Sequence, residues 1–420
     1  MSAAPATSST RRATAHVPQP ASPIPPDGPR LLPAGLVPSY AAHRQRHGQL
    51  PTPDPEALLE LTRAARLLGR GGAGFPVHRK LAAAIAADRS VVVANAAEGE
   101  PASAKDATLL GTCPQLVLDG LIIAARAVNA ERTVLYAHVG RSFDLACRAV
   151  AERTVALGQD AGIEVIAAPA RFIAGEESAL ASRIGGGPAL PTSDPVWARG
   201  VRGRPTLVQN VETLAHLALL ARYGADWFAG IGDPEGPGSM LHTVSVAGSI
   251  ERTVVEAPTG VPYAEVLRAA HLTATPAALL VGGYHGAWLP AAALPGPATR
   301  AALAPYGVTP GAGVAIALPE GSCALRFVAG VLTYLAGETA RQCGPCVNGL
   351  PALAEAFDRM VAGDRAAADR VTALVGLVEG RGGCHHPDGT ARLVRSTLSL
   401  FLADVAAHRH GRCTAQDGTP

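Results

Sequence analysis

The stretch Leu68-Gly69-Arg70-Gly71-Gly72-Ala73-Gly74-Phe75-Pro76-Val77-His78-Arg79-Lys80 packs four glycines into six residues and ends on a basic cluster. Glycine takes positive φ and lets a ligand approach the main chain with no Cβ in the way. Main-chain N–H groups lining such a turn make a concave anion site, and Arg70, Arg79 and Lys80 add positive charge. That chemistry suits a phosphate, although an ordinary loop would use the same glycines in a chain that holds 46 of them. Lys80 and Lys105 are the only lysines present. An ammonium is a compact point charge that arginine's planar fork does not reproduce. Lys105 stands in a second unusual segment, which runs from Ala94-Asn95 through Ala97-Glu98-Gly99-Glu100-Pro101 to Asp106.

Three further sets of residues carry chemistry. In Gly175-Glu176-Glu177, paired carboxylates open a helix, where the helix dipole favours them on structural grounds alone. Gln209-Asn210 precede another helix and can either cap it or hydrogen-bond a phosphate at its positive end. Cys343-Gly344-Pro345-Cys346 sets two thiols at a spacing suited to one metal centre, and Cys384-His385-His386 follows. Zinc would take the three thiols and one histidine. A redox pair would belong at a βα junction rather than in this helical region. An iron–sulfur cluster would take three thiolates plus a fourth ligand, or leave one iron open. Cys113, Cys147 and Cys323 read as small core residues in apolar helical runs, and Cys413 as a bystander near the end.

The elements that must position these residues alternate. Val91–Asn95, Thr133–His138 and Ile163–Ala167 read as strands, with helices 114–128 and 142–157 between them. This pattern implies a parallel α/β sheet. Ligands on such sheets bind at the carboxyl ends of strands, where Asn95 to Glu100 would sit. A helix follows at 211–223. Beyond a Gly/Pro-rich linker, strands at Leu241–Val246, Arg252–Ala257 and Ala278–Val281 with helix 263–270 make a small α+β module. Helices 323–337, 349–362, 366–378 and 390–408 then form a four-helix region. The expected units are a disordered Pro/Ala-rich tail over 1–50, with a surface strap as the alternative for that stretch, the α/β domain over 51–237, the α+β module over 238–319 and the helical domain over 320–412. With 17% charged residues and a net charge of +2, the composition is globular and argues against a nucleic-acid partner. No run reaches the length of a membrane span, no apolar segment follows Arg11-Arg12, and seven cysteines with one C-x-x-C pair suit a cytoplasmic protein.

Taken in order, these blocks resemble the NADH-binding flavoprotein subunit of respiratory complex I and the diaphorase subunits of hydrogenases and formate dehydrogenases. The resemblance runs over about residues 55–408. It implies an FMN-binding α/β domain, a ubiquitin-like (SLBB-type) module and a helical iron–sulfur domain. It also implies NAD(H) as substrate and iron–sulfur or ferredoxin-like electron-transfer subunits as partners. By resemblance, Gly69, Arg70, Gly71, Gly72, Lys80, Asn95, Gly175, Glu176, Glu177, Asn210 and Thr213 match flavin-site positions. Lys80, Asn210 and Thr213 lie toward the phosphate, Glu98 near the nicotinamide, and Phe75 against the dinucleotide. Cys343, Cys346 and Cys384 match three ligands of a [4Fe-4S] cluster; the first ligand falls on Ala340, and His386 or His385 is the nearest substitute. Other departures are Ala97 in place of an acid and Phe172 in place of tyrosine. A lysine and two aromatics near the adenine fall on Pro191, Asp194 and Ala83. The function implied is an NADH dehydrogenase-like subunit passing electrons from NADH through FMN to the cluster. Two alternatives remain open: electron exchange with a ferredoxin-like partner without NADH, or a scaffold that has lost its cofactors.

Overall fold

A computed structural model describes residues 30–33, 38–87, 89–158, 161–413 and 415. Four strands, β1 (Val91–Ala96), β2 (Arg132–His138), β3 (Glu164–Ala168) and β4 (Thr206–Asn210), form a wholly parallel sheet in the order β3-β2-β1-β4. Side chains alternate across a strand, and β1 shows the consequence. Val92, Ala94 and Ala96 join one core with Leu116, Leu135 and Leu214, whereas Val91 and Val93 join the opposite core with Leu180 and Ile184. On the first face, helix Pro114–Ala127 crosses helix Val211–Ala229 closely. A Cβ on Gly120 would stand 1.8 Å from the Leu214 carbonyl oxygen, so only glycine permits the approach.

The strand β4 is absent from the sequence expectation, which carries Thr206–Asn210 only as the approach to a helix. It pairs with β1 in register, setting Asn95 opposite Asn210 at the carboxyl edge of the sheet.

A second, mixed sheet contains β5 (Ser239–Val246), β6 (Arg252–Pro258), β7 (Ala278–Val281), β8 (Ala287–Pro290) and β9 (Val314–Leu318). Its order is β6-β5-β9-β7-β8, with β5 and β9 parallel and the other pairs antiparallel. Helix Tyr263–Ala269 packs on one face. The C-terminal region holds helices Ala324–Gly337, Leu350–Val361, Ala367–Val378, His386–Leu400 and Leu402–His408. The last expected helix thus begins four residues early, at His386, and breaks at Phe401, whose backbone (φ −107°, ψ 39°) leaves the helical region.

The expected tail also differs. Residues 1–29 lie outside the described residues, but 30–33 and 39–50 are not a free tail. Leu31 is fully buried, Arg30 hydrogen-bonds the Trp227 and Phe228 carbonyls, and Tyr40–His47 is a helix. Among the described residues no single helix is long and apolar enough to cross a membrane. One pair, Lys105–Thr112 with Pro114–Ala127, would suffice by composition but bends by 98°, and its apolar side chains belong to the core.

Candidate functional site

The carboxyl edge of the parallel sheet, the glycine loop and the β1 turn enclose a cavity of about 530 Å³. Eleven of the thirteen expected flavin- and nucleotide-site residues line it: Gly69, Gly71, Phe75, Lys80, Asn95, Glu98, Gly175, Glu176, Glu177, Asn210 and Thr213. Arg70 and Gly72 do not. They line a smaller cavity of about 140 Å³, which shares Gly69 and Gly74 as its wall. Arg70 is a strut rather than a phosphate ligand: its guanidinium is buried, donates to the Pro237 carbonyl at 3.0 Å and is attracted by Glu212. Only its backbone N–H serves the loop, donating to Thr213 Oγ1 at 2.8 Å.

Local chemistry holds the walls in place. Leu68 and Pro76 form a β-bridge, and the Gly69 N–H donates to the Phe75 carbonyl, so the loop closes on its own backbone. Gly72 and Gly74 adopt φ of +111° and +62°, which side chains disfavour. Asn95 donates to the Gly175 carbonyl at 2.9 Å and accepts from the Ala97 N–H at 3.1 Å, joining two loops. Gly175 is required there, because a Cβ would lie 2.2 Å from the Ala97 carbonyl oxygen. Glu176 caps helix Glu177–Ile184, accepting from the N–H groups of Ser178 and Ala179. Asn210 caps helix Val211–Ala229. Both helix N-termini therefore open at the cavity, where partial positive charge favours an anion.

Behind the wall lies a buried ionic network that the sequence reading placed only in part. Lys105 Nζ contacts Asp106 Oδ1 at 2.7 Å, Asn210 Oδ1 at 2.9 Å and Glu212 Oε2 at 3.0 Å. Burial works against the ammonium, but Asp106, Glu212 and Glu98 outweigh it and hold the Lys105 pKa above its usual range. Lys80 reaches Glu177 and the Val208 carbonyl. Glu98, which contacts Ser103 Oγ, is pushed up to about 7 by burial and then by Asp106. Glu100 is also raised to about 7 by burial, against two backbone N–H donors, Tyr284 and Ala102. Gln209 is the informative surprise. It lines the cavity and is buried, and its Nε2 has no hydrogen-bond partner. A buried amide left unpaired costs about 1–3 kcal/mol, which an acceptor inside the cavity would recover.

The structure brings the three expected thiols to one place. Cys343 and Cys346 Sγ lie 3.5 Å apart, and both raise the Cys384 pKa by their charge, after burial. Each thiol accepts backbone N–H groups: from Gly383 and Cys346 at Cys343, from Ala340 and Gln342 at Cys346, and from His386 at Cys384. His385 lines the large cavity, so the thiols and the cavity adjoin. His386 is engaged elsewhere. Its Nε2 lies 2.9 Å from the Leu335 carbonyl, and its ring packs against Phe172 and His285. Its Nδ1 is buried with no partner. Sequence reasoning missed Gln209 as a strand residue, and it had no signal for Ala312, which reaches the cavity from the loop before β9.

Residues 62–219 match the family model described as the Nuo51 FMN-binding domain, and 326–408 match the NADH-ubiquinone oxidoreductase-F iron–sulfur binding region. The chain belongs to the family of complex I 51-kDa (NuoF) proteins. It is 26% identical over 408 residues to the second F-type subunit of NADH-quinone oxidoreductase in Rhizobium meliloti, covering 91% of this chain and 95% of that one. It is 28% identical to the HndC subunit of the NADP-reducing hydrogenase of Solidesulfovibrio fructosivorans, covering 89% and 80%. The crystal structure of an air-oxidized NAD+-reducing [NiFe]-hydrogenase superposes with a TM-score of 0.76 at 29% identity, over 87% of this chain. This 51-kDa family member spans 64% of that hydrogenase chain's length.

Proposed function

We propose that this 51-kDa family member is an electron-transfer flavoprotein subunit that carries electrons from NADH through FMN to an iron–sulfur cluster. The observation that carries the reading is the large cavity with the unpartnered Gln209 amide inside it, set between Lys80, two helix N-termini and the three thiols. The donor set suits a phosphorylated, hydrogen-bonding ligand of flavin size. FMN, when bound, supplies the exchange between two-electron hydride chemistry and single-electron transfer.

The chain's own groups bind and orient. Lys80 and the N-termini of helices Glu177–Ile184 and Val211–Ala229 face an anion. Gln209 donates to a ring or ribityl acceptor, while Asn95 and Asn210 keep the floor rigid. Glu98 and Glu100, with pKa values near neutrality, hold protons beside the cavity. Phe75, 44% exposed at the rim, offers its ring to the dinucleotide. Cys343, Cys346 and Cys384 would hold three irons of a [4Fe-4S] cluster. Since Nε2 of His386 is held by Leu335, Nδ1 is the atom it has left for the fourth. The strand order of the mixed sheet, with its first and last strands parallel at the centre, supports the ubiquitin-like reading of that module.

One observation favours the alternative in which a ferredoxin-like protein replaces NADH. Ala83 and Asp194 are exposed and Pro191 is buried, and none of them lines the cavity. These three positions therefore supply none of the aromatic or cationic partners that help anchor an adenine, which leaves Phe75 as the one expected ring.

The cofactor sites are tested by FMN titration of the purified chain and by iron analysis. Lys80→Ala is expected to weaken FMN binding about 10- to 100-fold, the range of a lost charge-assisted hydrogen bond. Cys384→Ser is expected to lose the cluster's iron while keeping FMN. Unchanged FMN affinity in the first variant and unchanged iron in the second would overturn the assignment.

A further inference from the structure

At the far end of the helical region a second sulfur–nitrogen cluster forms from residues that the electron-transfer reading does not use. Cys323 is the N-cap of helix Ala324–Gly337, the first helix of the region, and its Sγ accepts the Arg326 N–H at 3.4 Å. His408 ends the last helix, and its Nε2 lies 3.4 Å from Cys323 Sγ. Cys413 lies five residues further along, where the chain turns back through the Gly411 N–H to His408 carbonyl hydrogen bond. The ligand atoms of Cys323, His408 and Cys413 all lie within 4.8 Å of one another. Among the described residues no other group of three metal-capable side chains is this tight.

We propose that Cys323, His408 and Cys413 bind a zinc ion that fastens the two ends of the helical region together. The donor set, two thiolates and one imidazole, is one that zinc prefers over magnesium or calcium. The orientation of His408 supports it. Its Nδ1 lies 2.7 Å from the Val361 carbonyl, which requires Nδ1 to carry the proton and leaves the Nε2 lone pair facing Cys323. A backbone carbonyl behind a histidine is the usual support of a zinc ligand, because it fixes both tautomer and ring direction. Cys323 and His408 are 8% and 3% exposed, whereas Cys413 is half-buried. The fourth coordination position therefore opens on the Cys413 side, where water or an added ligand can enter.

Burial also sets this cluster apart from a catalytic pair: Cys323 and His408 are both buried, and neither lines the flavin-sized cavity or the smaller one beside it. The site is structural: it ties the start of the helix at Ala324–Gly337 to the turn that follows His408, and metal binding contributes to folding by closing that long loop. The proposal is independent of the flavin and of the Cys343–Cys346–Cys384 set.

The test uses the full chain, purified with its iron intact and without metal-chelating chromatography, with zinc and iron measured together. About one zinc per chain is expected beyond the iron, with zinc X-ray absorption fitting two sulfurs at about 2.3 Å and one nitrogen at about 2.0–2.1 Å. Cys413→Ser, which alters only the half-buried terminal ligand, and His408→Gln should each lose the zinc and lower the thermal midpoint while iron content stays unchanged. Chelation should lower the wild-type midpoint to that of Cys413→Ser. Three results would overturn the proposal: zinc absent after supplementation, zinc equal in wild type and both variants, or a Cys323–Cys413 disulfide in most of the non-reduced protein by mass spectrometry.

Discussion

Gln209 and the two glutamates of the β1 turn show how much of this site is decided by single polar groups. An unpaired buried amide is a liability in the empty protein and an asset once an acceptor is bound. Gln209→Leu is therefore expected to leave the cofactor-free protein as stable as wild type, or about 1 kcal/mol more stable, while weakening FMN binding about 10-fold. Urea unfolding and flavin titration on the same samples check both halves; a destabilised apo-protein with normal FMN affinity would contradict the role. Glu98 and Glu100 differ in sign from ordinary carboxylates. Folded, each keeps its proton to about pH 7; unfolded, each releases it near 4.5. Between those values the folded state binds more protons, so their contribution is complete below pH 4.5 and lost as pH rises through 7. Glu98→Gln should raise apo-protein stability at pH 8 by about 1–3 kcal/mol and flatten the pH dependence. An unaltered slope would argue that Glu98 is ionised in the folded protein.

At the scale of elements, the site depends on loops that meet backbone to backbone. Gly175→Ala would drive a Cβ against the Ala97 carbonyl. It is expected to cost about 1–3 kcal/mol and to disturb the cavity floor, seen as lower thermal stability together with weaker flavin binding. Much of this scale was legible in the sequence. Apolar runs such as Val91–Ala94, separated by amphipathic helices, gave the parallel sheet, and the glycine loop and the Asn95–Glu100 turn led to one cavity. Three strands were not legible, for physical reasons. Thr206–Asn210 has two polar residues at its end that look like a cap, and Asn210 is in fact both strand end and cap. Ala287–Pro290 has four residues and ends in proline, while Val314–Leu318 is a short apolar run in which small alanines dilute any periodicity. The pairing of Cys323 with His408 and Cys413 could not be read either, because distant contacts leave no local pattern.

The whole molecule is held by contacts that cross between its parts, and several converge on the cavity. Arg171 and the Phe172 N–H both engage Glu338 at the end of helix Ala324–Gly337, and Glu100 accepts the Tyr284 N–H from the mixed-sheet region. Phe172, His285 and His386 pack edge to face where the parts meet. Elsewhere, residues 38–50 form a strap whose helix Tyr40–His47 closes over a buried carboxylate. Asp119 contacts Arg153 at 2.5 Å, His43 at 2.8 Å and Arg222. Burial opposes its charge, yet these partners hold its pKa well below the usual range. Asp119→Asn would leave two guanidinium groups buried without a counter-charge and should cost about 3–5 kcal/mol. The loss should appear in global unfolding and in protease sensitivity of the strap; a variant as stable as wild type would mean that the strap is held by its apolar contacts alone.

The most direct test of electron entry and transfer is an anaerobic visible absorption spectrum of the purified, reconstituted protein before and after addition of NADH. Flavin bands over broader iron–sulfur absorption are expected, with the flavin bands bleaching on NADH. Flavin bands that persist with NADH but bleach with a reduced ferredoxin would shift the donor to a protein partner. A spectrum with neither flavin nor cluster absorption after reconstitution would contradict the electron-transfer reading and leave a scaffold built on the same fold.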